Sequence, residues 1–150
     1  MFTFNEDANT IICSATLNTA YKAFQKNSKG QPEKDKPKKN TINISPEDAV
    51  KFYETIAPVF ADAGNKFTPD WFKKGENVIL KSTYDFKVML PDESKITFTE
   101  FLERGLIKGA KVTVRCLMKT DDDGNYLGVI YPLAMRVYED GEEFDQFEGM

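Results

Sequence analysis

Hydrophobic and polar side chains alternate along much of the chain with the period of two that is typical of β-strands. Residues 10–24 combine β-branched, small and aromatic side chains, and they predict one long strand with an irregularity near Asn18. Residues 41–44 predict a short extended piece. Residues 77–91 alternate again and predict a strand that breaks at Ser82. The first part of the chain therefore predicts strands that are separated by long connections.

The clearest alternation occupies residues 110–119, near the end of the chain. The dipeptide Asp123-Gly124 follows, and it is a strong signal for a hairpin turn. Residues 126–138 are then the antiparallel partner strand. Pro132 has no amide hydrogen to donate, so we expect its strand to lie at a sheet edge or to contain a bulge.

Helical spacing appears once with a clear start. Ser45 is the predicted N-cap, and Pro46 takes the first helical position. Pro58 is expected to kink or end this helix, and Gly64 to stop what remains. The apolar face of the helix comprises Ala49, Phe52, Tyr53, Ile56 and Phe60. Residues 96–106 fit either a strand or a short helix, the helix being favoured by Thr99 and the apolar residues after it.

About five strands, one helix and a second short helix emerge from these patterns. A chain of 150 residues with 41% hydrophobic residues can bury one core but not two. We therefore predict one mainly β domain, a five-stranded OB-type barrel rather than a sandwich.

Charge is distributed unevenly, although the whole chain carries a formal net charge of -4. Residues 139–150 hold six acidic residues and no lysine or arginine. Without those six acids the body keeps 20 basic and 18 acidic residues, a net charge of +2. Residues 21–40 contain seven lysines against two acids, and residues 25–40 predict a mobile basic loop. We predict a domain over residues 1–138 and a disordered acidic tail over 139–150.

Several kinds of chemistry find no support in the sequence. The chain has no histidine, which removes the commonest general base and metal ligand. Cys13 and Cys116 form no CxxC motif, so we expect buried free thiols, with a disulfide as the alternative. The run from Asp121 lacks a glutamate at the twelfth position of a calcium loop, where Pro132 stands. We expect neither an enzyme nor a metal or cofactor site, and no signal peptide or membrane span is evident, which favours the cytoplasm.

Aromatic and basic side chains interleave in three places, as they do in proteins that bind single-stranded nucleic acid. These clusters are Tyr21, Lys22, Phe24 and Lys26; Trp71, Phe72, Lys73 and Lys74; and Lys81, Tyr84, Phe86 and Lys87. At least one ring of each cluster is expected in the core, and burial is expected for Phe24, Phe72 and Phe86, although Phe24 stays among the candidate DNA-binding residues. Tyr21, Trp71 and Tyr84 are the candidates for stacking on bases.

Lysines of the basic loop and one arginine of the penultimate strand complete the candidate site, because phosphate contacts need little geometric precision. The candidate DNA-binding residues are Tyr21, Lys22, Phe24, Lys26, Lys38, Lys39, Trp71, Lys73, Lys74, Tyr84, Lys87 and Arg115.

The last third of the chain resembles the closing hairpin of phage single-stranded DNA-binding proteins of the T7-type OB-fold family. In that family a final strand runs through an EDGE-F junction into an acidic tail. The residues here that match are Gly128, Ala134, Val137, Glu139, Gly141, Glu142 and Phe144. Gly109 before the penultimate strand, and residues 20–24 in the first strand, are also similar. The resemblance covers the two ends of the chain well and its middle only loosely.

The resemblance implies binding of single-stranded DNA without sequence specificity, in phage replication, recombination or repair within the host cytoplasm. It also implies a tail that recruits replication or recombination proteins and shields the DNA groove. The tail residues concerned are Glu142, Glu143, Phe144, Asp145, Phe147 and Glu148. The chain departs from the pattern because no aromatic residue ends it, so docking through Phe144 or Phe147 is expected instead.

Two other classes of function stay open at this point. One is a protein-binding module, such as a phage inhibitor of a host nucleic-acid enzyme, which the overall pI of about 5.0 favours. The other is a metal-dependent nuclease, which lacks an acidic cluster in the body of the chain. The sequence leaves open whether the chain forms a homodimer.

Overall fold

The computed structural model describes residues 2–62 and 77–143. Within them the chain is mainly β, as predicted, but it forms ten strands rather than about five, together with two helices. The elements are β1 (Phe2–Asn5), β2 (Thr10–Ala23), β3 (Lys39–Pro46), α1 (Ala49–Asp62), β4 (Val78–Ser82), β5 (Lys87–Met89), β6 (Lys95–Thr97), α2 (Phe98–Arg104), β7 (Leu106–Lys108), β8 (Ala110–Thr120), β9 (Tyr126–Glu139) and β10 (Glu142–Glu143).

Eight strands form one mixed sheet, in which the hydrogen-bonded order is β4-β3-β2-β8-β9-β5-β6 and β1 pairs with β2. All neighbouring pairs are antiparallel except β5 with β9, which are parallel. The predicted break at Ser82 is confirmed: β4 ends there, and β5 begins only at Lys87. Four residues therefore connect the β3 side of the sheet to the β9 side. So short a connection reaches at most about 14 Å, and the sheet must curl to bring these sides together.

A single core fills the inside of the curled sheet. Successive residues of a strand face opposite sides, and the inward set on β2 is Ile11, Cys13, Ala15 and Leu17, each at most 1% exposed. Helix α1 adds Phe52 and Ile56, and α2 adds Phe98 and Phe101. The ring of Phe98 lies 4.8 Å from that of Phe86, measured between centroids. Full burial of each such ring contributes roughly 1.5–3 kcal/mol to folding.

The predicted irregularity near Asn18 is confirmed. The register of β2 against β3 shifts between Leu17 and Thr19, so one residue of β2 is left over opposite β3. Asn18 is that residue, and its side-chain amide donates to the Ser45 hydroxyl at 2.9 Å and to the Asn77 side chain at 3.1 Å. The bulge is therefore tied to the end of β3 and to the start of β4.

The predicted start of the first helix was wrong. Pro46 still belongs to β3, and the helix begins at Ala49. Asp48 takes the capping role, because its carboxylate accepts from the Lys51 amide at 3.3 Å. The Ser45 hydroxyl is already engaged in the polar cluster at the β2 bulge, so it is not free to cap. The helix also continues past Pro58 to Asp62, so Pro58 does not end it.

Both interpretations of residues 96–106 hold in part, because β6 ends at Thr97 and α2 begins at Phe98. Thr97 caps the helix: its hydroxyl accepts from the Glu100 amide, while the Glu100 carboxylate accepts from the Thr97 amide at 3.2 Å. Thr99, which the sequence suggested for the start, instead donates its amide and hydroxyl to Asp85 at 2.9 Å. Gly105 ends the helix in the left-handed conformation, with a φ of 73°.

The predicted hairpin is formed by β8 and β9. The Asp121 carboxylate accepts from the amides of Asp123 and Asn125, both at 2.9 Å, and the bond from the Asn125 backbone lowers the pKa of Asp121. Pro132 lies at a bulge, as predicted, because Cys116 pairs with Pro132 while Arg115 pairs with Ala134. Leu133 is the extra residue of this bulge.

The basic loop between β2 and β3, expected to be mobile, contains a defined set of turns. The Asn27 carboxamide oxygen accepts from the amides of Lys29 and Gln31 at 2.9 and 3.0 Å. Lys26 and Pro32 form an isolated β-bridge. These bonds give the loop a compact base without burying any of its lysines.

The chain stays paired with the domain beyond the predicted boundary at residue 138. Strand β9 ends at Glu139, and β10 pairs antiparallel with β7. Both guanidinium nitrogens of Arg104 donate to the Asp140 carboxylate at 3.2 Å. Residues 139–143, four of which are acidic, thus belong to the folded domain. Residues 144–150 of the predicted tail lie outside the described residues.

Both helices in the described part of the chain, of fourteen and seven residues, are too short to cross a membrane.

Cys13 and Cys116 are free and buried, as predicted. They lie diagonally across the β2–β8 pair, since Ile11 pairs with Cys116 and Cys13 with Val114. A hydrogen bond with Cys13, together with burial, raises the pKa of the Cys116 thiol.

We predict that the two thiols react with a thiol-specific disulfide reagent only on unfolding. Burial blocks access to both, and the raised pKa keeps Cys116 protonated even above about pH 8.5, where an ordinary thiol ionises. The measurement is the reaction time course in native buffer and in denaturant, with C13S and C116S to separate the sites. A fast native reaction would contradict the burial of these side chains.

We also predict that G141A weakens the β7–β10 pairing. A Cβ at Gly141 would lie 2.5 Å from the Ile107 carbonyl oxygen, and backbone cannot move aside cheaply. The expected loss is about 1–3 kcal/mol, seen as faster amide exchange in β10. The control is R104Q, which removes the Arg104–Asp140 ion pair without placing an atom against the Ile107 carbonyl, and it should have the smaller effect. Equal amide exchange rates in G141A and the parent chain would refute the close contact at Gly141.

Candidate nucleic-acid interface

The outer face of β2, β3 and β4 carries a cross-strand row in which Tyr21 pairs with Thr41 and Thr41 pairs with Lys81. Partners in register share a face, and Ile42 and Leu80, the neighbours of Thr41 and Lys81, are buried on the other side. Tyr21 and Lys81 therefore point away from the core.

The outward position of Tyr21 depends on the bulge in β2. Before the bulge, odd-numbered residues such as Leu17 face the core; after it, Ala20 packs against the core instead. In a regular strand of the same residues, without a bulge, Tyr21 would have the same orientation as Leu17. The bulge at Asn18 turns the ring outward and leaves it 43% exposed.

A second bulge does the same in β9. Met135 and Val137 are buried, but before the bulge at Leu133 the inward residue is Ile130. Tyr131 consequently pairs with Leu117 on the outer face. Val129, two residues earlier, lies on that face and is 40% exposed.

Two adjoining depressions lie on this outer surface. The first, of about 520 Å³, lies between β9 and the segment formed by β4 and the turn after it. Its walls include Ile79, Tyr84, Leu117, Val129 and Tyr131, and they are mostly apolar. The second, of about 410 Å³, lies beside the end of β2, and its walls include Tyr21, Phe24, Gln25 and Lys26.

Lys39 and Lys81 line both depressions and stand between them. Thr41 pairs with Lys81, and Lys39 lies two residues before Thr41 on the same face of β3. The two ammonium groups therefore form a positive boundary between the apolar depression and the aromatic one. Among the residues that the structure describes, ion pairs involve Lys36 and Arg104, and neither of these two lysines.

Tyr84 is held at the rim by its backbone rather than by its ring. Its amide donates to the Ser82 hydroxyl at 3.1 Å, and its carbonyl accepts from the Asn40 side chain at 2.8 Å. Phe86, two residues on, is fully buried and anchors the turn in the core. The Tyr84 ring is left 62% exposed.

Phe24 follows the end of β2, and its ring is 42% exposed. The Lys38 ammonium lies over the ring, 4.5 Å from its centroid. The expected burial of Phe24 was wrong, because the chain leaves β2 before this residue and the ring lies at the surface. The ring and the cation together form the outer end of the second depression.

The structure brings together about half of the candidate DNA-binding residues. Those that line the depressions or stand at their edge are Tyr21, Phe24, Lys26, Lys38, Lys39 and Tyr84. Lys22 leaves β2 on the opposite side from Tyr21. Lys87 and Arg115 lie on another part of the outer surface, on either side of Ala134. Trp71, Lys73 and Lys74 lie outside the described residues, as do the tail candidates Phe144, Asp145, Phe147 and Glu148.

Four residues that line the depressions were not among the sequence candidates, namely Lys81, Leu117, Val129 and Tyr131. Lys81 stood in the third aromatic-basic cluster, and its spacing from Tyr84 was an available signal. The other three belong to the closing hairpin, whose alternation does not tell which face is inward. Only the bulge beside Pro132 could have indicated that Val129 and Tyr131 face outward.

The carboxylates offer no metal-binding cluster within residues 2–62 and 77–143, where no three acidic or cysteine side chains converge. The densest acidic run belongs to the β8–β9 turn, where Asp121 holds backbone amides instead.

Comparison with models of known protein families gave no match, and comparison with curated protein sequences gave none. Solved structures do match. One is a single-stranded DNA-binding protein from bacteriophage Enc34 in complex with single-stranded DNA, with a TM-score of 0.56 and 13% identity over 91% of this chain and 90% of that chain.

The structure of the Enc34 protein alone gives a TM-score of 0.55 and 15% identity, over 95% of this chain and 87% of that one. A C-terminal truncation of it gives 0.51 and 14%, over 91% and 89%. The chain described here therefore has the fold of the bacteriophage Enc34 single-stranded DNA-binding protein.

Proposed function

We propose that this chain binds single-stranded DNA in the groove formed by the two depressions, without catalysing a reaction. The observation that carries the proposal is the junction between them, where Lys39 and Lys81 stand between exposed aromatic rings. Single-strand binders combine these two elements, because every nucleotide offers a base to stack and a phosphate to neutralise.

The strand arrangement supports an OB-type barrel. Strands β2, β3, β8 and β9 supply four of its strands, and β4 continued by β5 supplies the third strand, pairing with β3 on one side and with β9 on the other. OB-folds bind oligonucleotides on the face of their second and third strands, between the loops that follow the first and fourth. In this chain that face carries Lys39 and Lys81, and those loops are residues 24–38 and 121–125.

The rings divide between the two depressions. Tyr84 and Tyr131 line the apolar one, and Tyr21 and Phe24 the other. One base on each side would place the connecting phosphate at the Lys39–Lys81 pair. Stacking is worth about 1–3 kcal/mol per base and tolerates any base, which fits binding without sequence specificity.

The similarity to a phage protein supports a role in phage DNA replication, recombination or repair. In this proposal the acidic C-terminal residues recruit partner proteins and compete with DNA for the groove. Asp140 already pairs with Arg104, and Glu142 lies in β10. Competition for the groove is therefore assigned to residues 144–150, which carry Asp145 and Glu148.

The first test is the binding of labelled oligo(dT) of about 30 nucleotides, longer than one OB-fold site, followed by anisotropy at several salt concentrations. The chain should bind, and affinity should fall as salt rises, because bound phosphates release counterions. In K39Q/K81Q the slope of log affinity against log salt should be smaller by about 2. Y131A should lose about 1–3 kcal/mol with little change in slope.

The matched control is K51Q, which removes an exposed lysine of α1 outside the groove. It should bind like the parent chain. Absence of binding at low salt would refute the proposal, and equal losses in K39Q/K81Q and K51Q would show that the groove is not the site. Capture of a host enzyme by a chain that ignores DNA would favour the protein-binding alternative.

A second prediction concerns residues 144–150. Their removal leaves β10 and the Arg104–Asp140 pair in place, and binding of oligo(dT) should tighten several-fold at low salt, because a competing anionic segment is lost. The gain should disappear at about 1 M salt, where the Debye length is about 3 Å. The variant D145N/E148Q should show the same increase in affinity as the truncation. Unchanged affinity in both variants would show that this segment does not compete with DNA for the groove.

A further inference from the structure

A second positive surface lies around the sheet from the groove. It is the outer face of β6, β5, β9 and β8, and its cations are Lys95, Lys87, Arg136 and Arg115, which we call the outer basic face. All four side chains are exposed. None of them belongs to an ion pair within the described residues.

The register determines how these cations are arranged. Lys87 pairs with Ala134, and Ala134 pairs with Arg115, so two cations flank one small side chain. Neighbouring strands lie about 4.8 Å apart, which places Lys87 and Arg115 roughly 10 Å from each other at their Cα atoms. Ala134 thus forms the floor of a shallow track with a positive wall on either side.

The next row also contains two cations, but they are displaced by one strand. Lys95 pairs with Met89, Met89 pairs with Arg136, and Arg136 pairs with Thr113. The Arg136 guanidinium lies over the Tyr138 ring, 5.0 Å from its centroid. Lys87 and Arg115 thus stand on either side of β9, and Arg136 lies on β9 itself, two residues beyond Ala134.

The outer basic face is continuous with the groove. Leu117 lines the apolar depression, and Arg115 is the next outward residue along β8. Leu133 lines the same depression and directly precedes Ala134. A strand leaving the depression along β9 would pass directly between Lys87 and Arg115.

We propose that single-stranded DNA leaving the groove continues over the outer basic face, held there by its phosphates alone. The inference rests on the proposed function and extends it with a second contact region. Beyond Tyr131, which lines the depression, the ring that we find beside these cations is Tyr138, and it contacts Arg136. Contacts there therefore depend on charge and not on base stacking.

The other polyanion that could occupy this face is the acidic C-terminal segment of a second copy. The structure favours DNA, because the face opens into the groove through Leu117 and Leu133. In addition, the described acids of that segment already have positions in their own domain: Asp140 binds Arg104, and Glu142 is in β10.

The test uses the full chain, the variant R115E/R136E and two oligo(dT) lengths, of about 6 and about 16 nucleotides, the span of OB-fold site sizes. The short oligonucleotide fits in the groove, so its affinity should stay within about twofold of the parent. For the long one, affinity should fall at least about tenfold and the salt slope by about 2. R115Q/R136Q should show a smaller change in the same direction.

The charge-matched control is R115E compared with K51E, a substitution on α1 outside both surfaces. Only R115E should weaken the long oligonucleotide, and Y21A should weaken both lengths. Unchanged binding of the long oligonucleotide in R115E/R136E overturns the inference, and so does an equal loss for both lengths.

Other outcomes are separable from these. Failure of the parent chain to bind either oligonucleotide would refute the proposed function itself. Loss of self-association in R115E/R136E, measured by light scattering with DNA binding unchanged, would assign the face to the acidic segment of a second copy and overturn the DNA track. Circular dichroism of each variant establishes that the fold is retained.

Discussion

The extra residue in β2 decides which side of the sheet every later side chain of that strand faces. Asn18 holds the bulge in place by donating to Ser45 and Asn77. These hydrogen bonds fix the register of β2 relative to β3 and to the start of β4, which are far apart in sequence. If the same residues alternated regularly without a bulge, Tyr21 would face the core and Ala20 the solvent, since a slip of one residue exchanges the two faces. The outward position of Tyr21 therefore depends on hydrogen bonds that Asn18 makes three residues earlier in the strand.

The closing hairpin uses the same device, with Leu133 as the extra residue and Pro132 beside it. Strand β8 keeps its alternation throughout. In β9 the set of inward-facing residues shifts by one at the bulge, where the apolar depression meets the outer basic face. The outward residues differ in character on the two sides of the bulge. Val129 and Tyr131 offer apolar surface before it, and Arg136 offers a positive charge after it. One strand thus contributes to two surfaces of different character.

Much of the fold could be predicted from local patterns, including the long first strand, the break at Ser82, the hairpin and both bulges. These features follow from alternation, turn chemistry and the missing amide of proline, which act over a few residues. The helix start was misplaced because Ser45, a good cap by type, is held by asparagines from distant strands. Only half of the candidate site residues lie together for a similar reason: rings and lysines can be recognised in the sequence, but only long-range pairing shows that Lys39 and Lys81 stand together while Lys87 and Arg115 lie elsewhere.

The Lys38–Phe24 contact limits how the outer end of the groove can work. An aromatic ring has two faces, and here an ammonium group already covers one of them at 4.5 Å. In the proposed binding mode a base adds only to the remaining face, so this ring would stack on one nucleotide rather than be inserted between two. The cation is also in position before any nucleotide arrives, which spares the side-chain entropy of ordering it on binding. That end of the groove is consequently preorganised and one-sided, and under the proposed function a bound strand would end or turn there.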